Sequence, residues 1–150
     1  MSICLIDTSI FCNVLNVPNR NQQRDEVVEQ LRQHIAAGVT LLLPVTAIIE
    51  TGNHIAQQGD GRVRRIVAAY FVDQVQQALN GTAPWVTTPS LDLQLVRGYI
   101  DTFPDYAMRE VGMGDLSIIK EFERQCALNR MRRVFIWSTD GHLAAYDRVP

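Results

Sequence analysis

Two spacings of apolar residues alternate along the chain, and each predicts its own kind of element. Short, largely apolar stretches with polar ends stand at residues 2–7 (SICLID), 39–44 (VTLLLP), 84–89 (PWVTTP) and 133–139 (RVFIWST). Short runs without polar alternation read as strands covered on both faces. Between them the spacing becomes helical. Val27, Val28, Leu31 and Ile35 share a face of a helix over 25–37, with Gly38 closing it. A second helix fills 45–58 and ends at Gly59. The longest covers 62–80, with Val63, Ile66, Val67, Tyr70, Phe71, Val75, Ala78 and Leu79 at helical spacing before Gly81. Ser90 offers an N-cap for a helix from 91 to about 102. Residues 103–114 (FPDYAMREVGMG) read as a loop. A helix over 115–129 turns Leu116, Ile119, Phe122 and Cys126 inward, and a last helical turn falls within DGHLAAYD (140–147). Strands alternating with helices predict an α/β sandwich with a parallel sheet covered on both faces.

Length and composition fit one soluble domain: 150 residues, 47% hydrophobic and 20% charged, without repeats or a long linker. No apolar run approaches the ~20 residues of a membrane span. No basic flank precedes the first apolar stretch, so no signal peptide is expected and the location is expected to be cytoplasmic, away from membranes. The cysteines Cys4, Cys12 and Cys126 form no Cys-x-x-Cys pair, which predicts small buried thiols and not a zinc site. A net charge of −2 tells against a general nucleic-acid coat. Lys120 is the one lysine, and every other base is an arginine, the side chain suited to bidentate phosphate contacts. Arg62, Arg64 and Arg65 form one cluster, and Arg130, Arg132 and Arg133 another. Both also suit solvated helix ends, and the second precedes a strand, which puts it at the edge opposite a ligand.

Four acids sit where the apolar pattern would not put them. Asp7 interrupts the run ICLIDTSIF, where an unpaired buried charge costs several kcal/mol or neutralises itself. Asp140 follows the strand VFIWST, Asp115 opens a helix after VGMG, and Glu50 lies one turn into the helix after the second strand. Asp115 and Asp140 also suit N-caps, and Glu50 also suits a solvent-facing position. In a parallel α/β sheet, ligands bind beyond the carboxyl ends of the strands. Four carboxylates meeting there would repel one another unless a cation lay between them. Mg²⁺ or Mn²⁺ prefers oxygen donors, and one or two such ions suit phosphodiester hydrolysis.

The stretches LIDTSIF (5–11), VTAIIETGNHI (45–55), VGMGDLSIIKE (111–121) and IWSTDGHLAAYD (136–147) resemble the PIN-domain nucleases, including VapC-type toxins of toxin–antitoxin pairs. The resemblance implies a three-layer α/β/α sandwich with a central parallel sheet and a metal-dependent endoribonuclease. Asp7, Glu50, Asp115 and Asp140 would be the catalytic acids and hold Mg²⁺ or Mn²⁺. Ser9 and Ser138 would orient carboxylates or waters, although Ser9 equally suits a plain turn. Implied partners are an RNA substrate, an antitoxin protein and a second copy of the chain docking near the long helix over 62–80. The chain departs from the family pattern after Asp140, where ten residues leave room only for a short last edge.

The arginines 62, 64 and 65 are the better candidates for the RNA backbone. His54, one turn past Glu50, suits either the groove or the helix surface, while His34 and His142 read as structural. An aspartyl phosphotransferase would need a second acid where Ser9 stands, and a receiver domain would need a lysine at a late strand end, whereas Lys120 lies in a helix. The non-enzymatic alternative is a catalytically silent PIN-like module that binds protein or RNA.

Overall fold

A computed structural model describes residues 1–89 and 91–150. Five strands, β1 (Ile3–Ile6), β2 (Thr40–Leu43), β3 (Trp85–Thr87), β4 (Val134–Trp137) and β5 (Asp147–Arg148), form one sheet in the order β3-β2-β1-β4-β5. The helices are α1 (Thr8–Val14), α2 (Arg24–Ala36), α3 (Val45–Ala56), α4 (Gly61–Leu79), α5 (Leu93–Met108), α6 (Met113–Leu128) and α7 (Gly141–Ala144). The architecture is α/β, with β1 at the centre of a mostly parallel sheet. Among the described residues no helix is long and apolar enough to cross a membrane.

Unbroken apolar strands are explained by where their side chains go. Successive strand residues point to opposite sides of the sheet. Cys4 and Ile6 join Leu41, Leu43, Phe135 and Trp137 in one buried cluster with Phe11, Val27 and Ile55. Leu5 and Ile136 join a second, with Val111, Ile118, Ile119 and Leu143. All four residues of β1 and of β4 are buried.

The sheet gains an antiparallel edge that the apolar pattern does not foretell. β5 pairs with β4 through Val134 opposite Arg148 and Phe135 opposite Asp147. Arginine bonds reinforce this pairing. Arg133 grips Asp147 at 2.9 and 2.7 Å, and Arg148 donates to the carbonyls of Asn129, Arg130 and Arg132 at 2.8–2.9 Å. Arg132 donates to the Met1 carbonyl and to Thr40 Oγ1. Arg132, Arg133 and Arg148 are therefore engaged at the edge where the strands begin.

Three helical expectations are corrected. The loop expected over 103–114 is helix as far as Met108, with Pro104 inside α5. Buried Tyr99 and the packing of Tyr106 on the second core cluster carry the helix past the N–H that proline lacks. Its end is a Schellman motif: Val111 N–H donates to Tyr106 O and Glu110 N–H to Ala107 O, each at 3.0 Å, with Glu110 at φ 62°. On α2, Ile35 is exposed, and the inward face is completed by His34 against Trp137 and Phe135. On α4, Ile66, Tyr70 and Leu79 are exposed, because Val67, Phe71, Val75 and Ala78 suffice to seat that helix on the core. The proposed cap Ser90 lies outside the described residues; Asp92 accepts from Leu95 N–H and caps α5. Helix α3 ends at Ala56, short of Gly59, whereas Gly38 and Gly81 close their helices at φ 69° and 75°.

A glutamate in the left-handed region costs more than glycine there. Glu110→Gly should raise stability by roughly 0.5–1 kcal/mol, read as a higher urea midpoint at unchanged slope. A lower midpoint would show that the Glu110 side chain contributes more than its backbone costs.

Candidate functional site

The site begins with the register of two strands. Ile6 of β1 lies opposite Trp137 of β4, so the next residues, Asp7 and Ser138, emerge side by side. On either side of this crevice the chain runs outward in opposite directions, to β2 and β3 and to β5. Such a switch point leaves a crevice at the carboxyl ends of the strands.

Asp7 is buried and caps α1. Its Oδ2 accepts from Ser9 Oγ and Ser138 Oγ, both at 2.8 Å. The serines are held in turn: Thr139 N–H donates to Ser9 Oγ at 3.1 Å, and Asp140 N–H to Ser138 Oγ at 3.0 Å. Two hydroxyl donors thus supply the partners that a buried carboxylate oxygen needs. They also tie the ends of β1 and β4 together.

Glu50 reaches the same place from α3. Thr8 Oγ1 donates to its Oε2 at 2.9 Å. On its other side lies α6, and the close approach depends on Gly114. A Cβ built there would fall 1.6 Å from Glu50 Oε1. Ser117 Oγ fastens the two helices by bonding Thr46 Oγ1 at 2.8 Å. Asp115 follows Gly114 in the first turn of α6, which Gly112 caps, so Asp115 is not the N-cap. Asp140 does cap its helix, α7, with Oδ1 accepting from His142 N–H at 2.8 Å.

All four acids line one cavity of about 370 Å³. Asp115 registers the crowding. Burial first, and then the charges of Asp7, Glu50 and Asp140, hold its carboxyl above the usual range, with His142 acting the other way. Among the described residues none of the four enters a salt bridge. Asp7 Oδ1, Glu50 Oε1, Asp140 Oδ2 and both Asp115 oxygens accept no hydrogen bond there. Sharing a cavity is a looser condition than sharing an ion: among the described residues no three His, Cys, Asp or Glu side chains are grouped as a ready metal cage.

The donor set nonetheless fits a hard divalent cation by its chemistry. It offers carboxylate oxygens with lone pairs to spare. Cys12 also lines the cavity, with burial pushing its thiol up to about 11. All three cysteines are free, with Cys4 and Cys12 buried and Cys126 half-buried.

The rest of the lining is polar and comes largely from residues 13–23: Asn13, Asn19, Arg20, Gln22 and Gln23. Apolar spacing is silent about this segment. Its signal is turn chemistry, with Asn16 and Asn19 at φ 59° and 64° around Pro18. His54 lines the cavity, and its buried Nδ1 has no hydrogen-bond partner among the described residues. Arg62, Arg64 and Arg65 do not line it; they sit at the start of α4, where Arg64 donates to the Gln58 carbonyl and the other two are exposed. Comparisons of the chain with protein families, curated proteins and solved structures returned no match.

Because the folded protein raises the Asp115 pKa, it holds that proton more tightly than the unfolded chain does. Ionised Asp115 therefore opposes folding above its folded pKa, and the penalty fades as pH falls through it. With divalent ions chelated, Asp115→Asn should melt above wild type at pH 7, and the gap should close on acidification toward pH 4. A variant that melts below wild type at both pH values would contradict this.

Proposed function

We propose that this chain is a divalent-metal-dependent endoribonuclease of the PIN-domain kind, hydrolysing RNA phosphodiesters. The observation that carries the reading is the meeting of four acids, from four distant stretches of sequence, in one cavity at the switch point of a parallel sheet. Asp7, Glu50, Asp115 and Asp140 would hold Mg²⁺ or Mn²⁺. When bound, such an ion supplies an activated water and stabilises charge on a phosphoryl oxygen.

The chain's own residues have definite tasks in this reading. Ser9 and Ser138 occupy one oxygen of Asp7 and leave the other without a hydrogen bond among the described residues. Thr8 does the same for Glu50. Gly114 leaves the room that Glu50 fills. RNA as the substrate, an antitoxin as partner and a second copy of the chain rest on the resemblance of the four stretches.

One observation favours a second reading, a PIN-like module that binds protein or RNA without cutting. Asp7 and Asp140 both cap helices, and no three acids are grouped as a cage among the described residues. Cleavage separates the two. Purified protein should cut a mixed RNA pool with Mg²⁺ or Mn²⁺ and not with chelator. Asp115→Asn should abolish cutting, and Gly114→Ala, which displaces the flexible end of Glu50, should cut the rate roughly 100-fold while the protein stays folded. Wild-type protein that leaves RNA intact with either ion would put the binding module in place of the hydrolase.

A further inference from the structure

Part of the cavity's lining is a segment that neither the resemblance nor the apolar pattern points to. It is the segment between α1 and α2, and it is built, not slack. Asn16 closes α1 in the left-handed region, with Val17 N–H donating to Cys12 O at 2.9 Å. Val17 is fully buried, which pins the segment to the core. Arg20 N–H donates to Val17 O at 3.0 Å, Gln22 Nε2 to Asn19 O at 2.9 Å, and Gln23 N–H to Asn13 Oδ1 at 3.0 Å. Asn19 Nδ2 reaches across to Gln58 Oε1, at 3.2 Å, tying the segment to the end of α3.

This frame holds Arg20 at the cavity. Its positive charge is felt at Cys12, which also lines the cavity, where it opposes the rise that burial imposes on the thiol pKa. Yet among the described residues the Arg20 guanidinium makes no ion pair and no hydrogen bond, although four carboxylates share the cavity. Arg24, Arg64, Arg132, Arg133 and Arg148 all spend theirs on carbonyls, a hydroxyl or a carboxylate. Arg62 and Arg65 are exposed but do not line the cavity.

We infer that Arg20, set in the rigid α1–α2 segment, is the phosphate-binding side of the cavity and takes a backbone phosphate of single-stranded RNA next to the one held at the acids. The inference rests on the nuclease reading for the identity of the ligand. A planar guanidinium matches phosphate with two parallel N–H···O bonds. A phosphodiester chain is a ligand that can present one anion to Arg20 and another to cations among the acids. Holding the arginine apart from the acids keeps it available for that contact. Such a contact positions the strand and carries no base sequence of its own.

The test is the anisotropy of a fluorescein-labelled single-stranded RNA of mixed sequence, in Mg²⁺ and over a range of salt, with Asp115→Asn as the uncut parent. Adding Arg20→Ala should weaken binding at least about tenfold. It should also lower the slope of log K against log salt by about 0.7, the share of one phosphate. Arg20→Lys should keep the slope and lose part of the affinity. Since the side chain is exposed and makes no hydrogen bond or ion pair among the described residues, circular dichroism should be unchanged. The inference is overturned if Arg20→Ala leaves affinity and slope alone, if the loss falls instead on Arg62→Ala with Arg65→Ala, or if the parent does not bind RNA. Arg20-dependent binding by a protein that never cuts RNA would uphold this inference and sink the hydrolase. Cutting that ignores Arg20→Ala would do the reverse.

Discussion

Like charges repel, and the carboxyl edge of this sheet gathers four of them around one cavity. Most features of the molecule's upper edge follow from making that tolerable. Asp7 survives burial because two serine hydroxyls and the start of α1 face it. Glu50 is steadied by Thr8 and given room by a glycine. Asp140 spends one oxygen on the first turn of α7. Asp115 has no protein donor among the described residues, and burial first, then the charges of the other three acids, keep its pKa raised.

Topology does the gathering. A central β1 flanked by parallel β2 and β4 delivers three chain segments to one end of the sheet, and α6 brings the fourth by crossing α3 at Gly114. The opposite end is organised differently. There Arg132, Arg133 and Arg148 close on carbonyls and on Asp147, fastening the start of β4 and the short antiparallel edge. Arginines thus serve as structural clasps at one edge, while Arg20 stands unclasped at the other.

Much of this was legible in the chain because burial on two faces leaves a plain mark. The runs ICLI and VFIW are apolar throughout, and each alternates between the two core clusters. Asp7 stood out because it interrupts such a run, and Glu50, Asp115 and Asp140 because each lies at or just after an element start and within a stretch of the resemblance. Other features left no comparable mark. β5 is two residues reinforced by arginine bonds, so it carries no apolar signal. Pro104 reads as a break in any local view, and only the packing of Tyr99 and Tyr106 carries the helix through it. The α1–α2 segment is specified by asparagines in left-handed conformations and by amide bonds, which hydropathy does not register. Arg62, Arg64 and Arg65 show the converse: a conspicuous cluster in sequence that the fold sets apart from the cavity.

The central claim is that these four carboxylates share divalent cations. Calorimetric titration of Mn²⁺ into the chelator-treated protein addresses it without reference to any nucleic acid. Saturable binding of one or two ions is predicted for wild type, weakened in Asp7→Asn, Glu50→Gln, Asp115→Asn and Asp140→Asn alike. No heat of binding in the wild-type protein, or binding that all four substitutions leave intact, would contradict it.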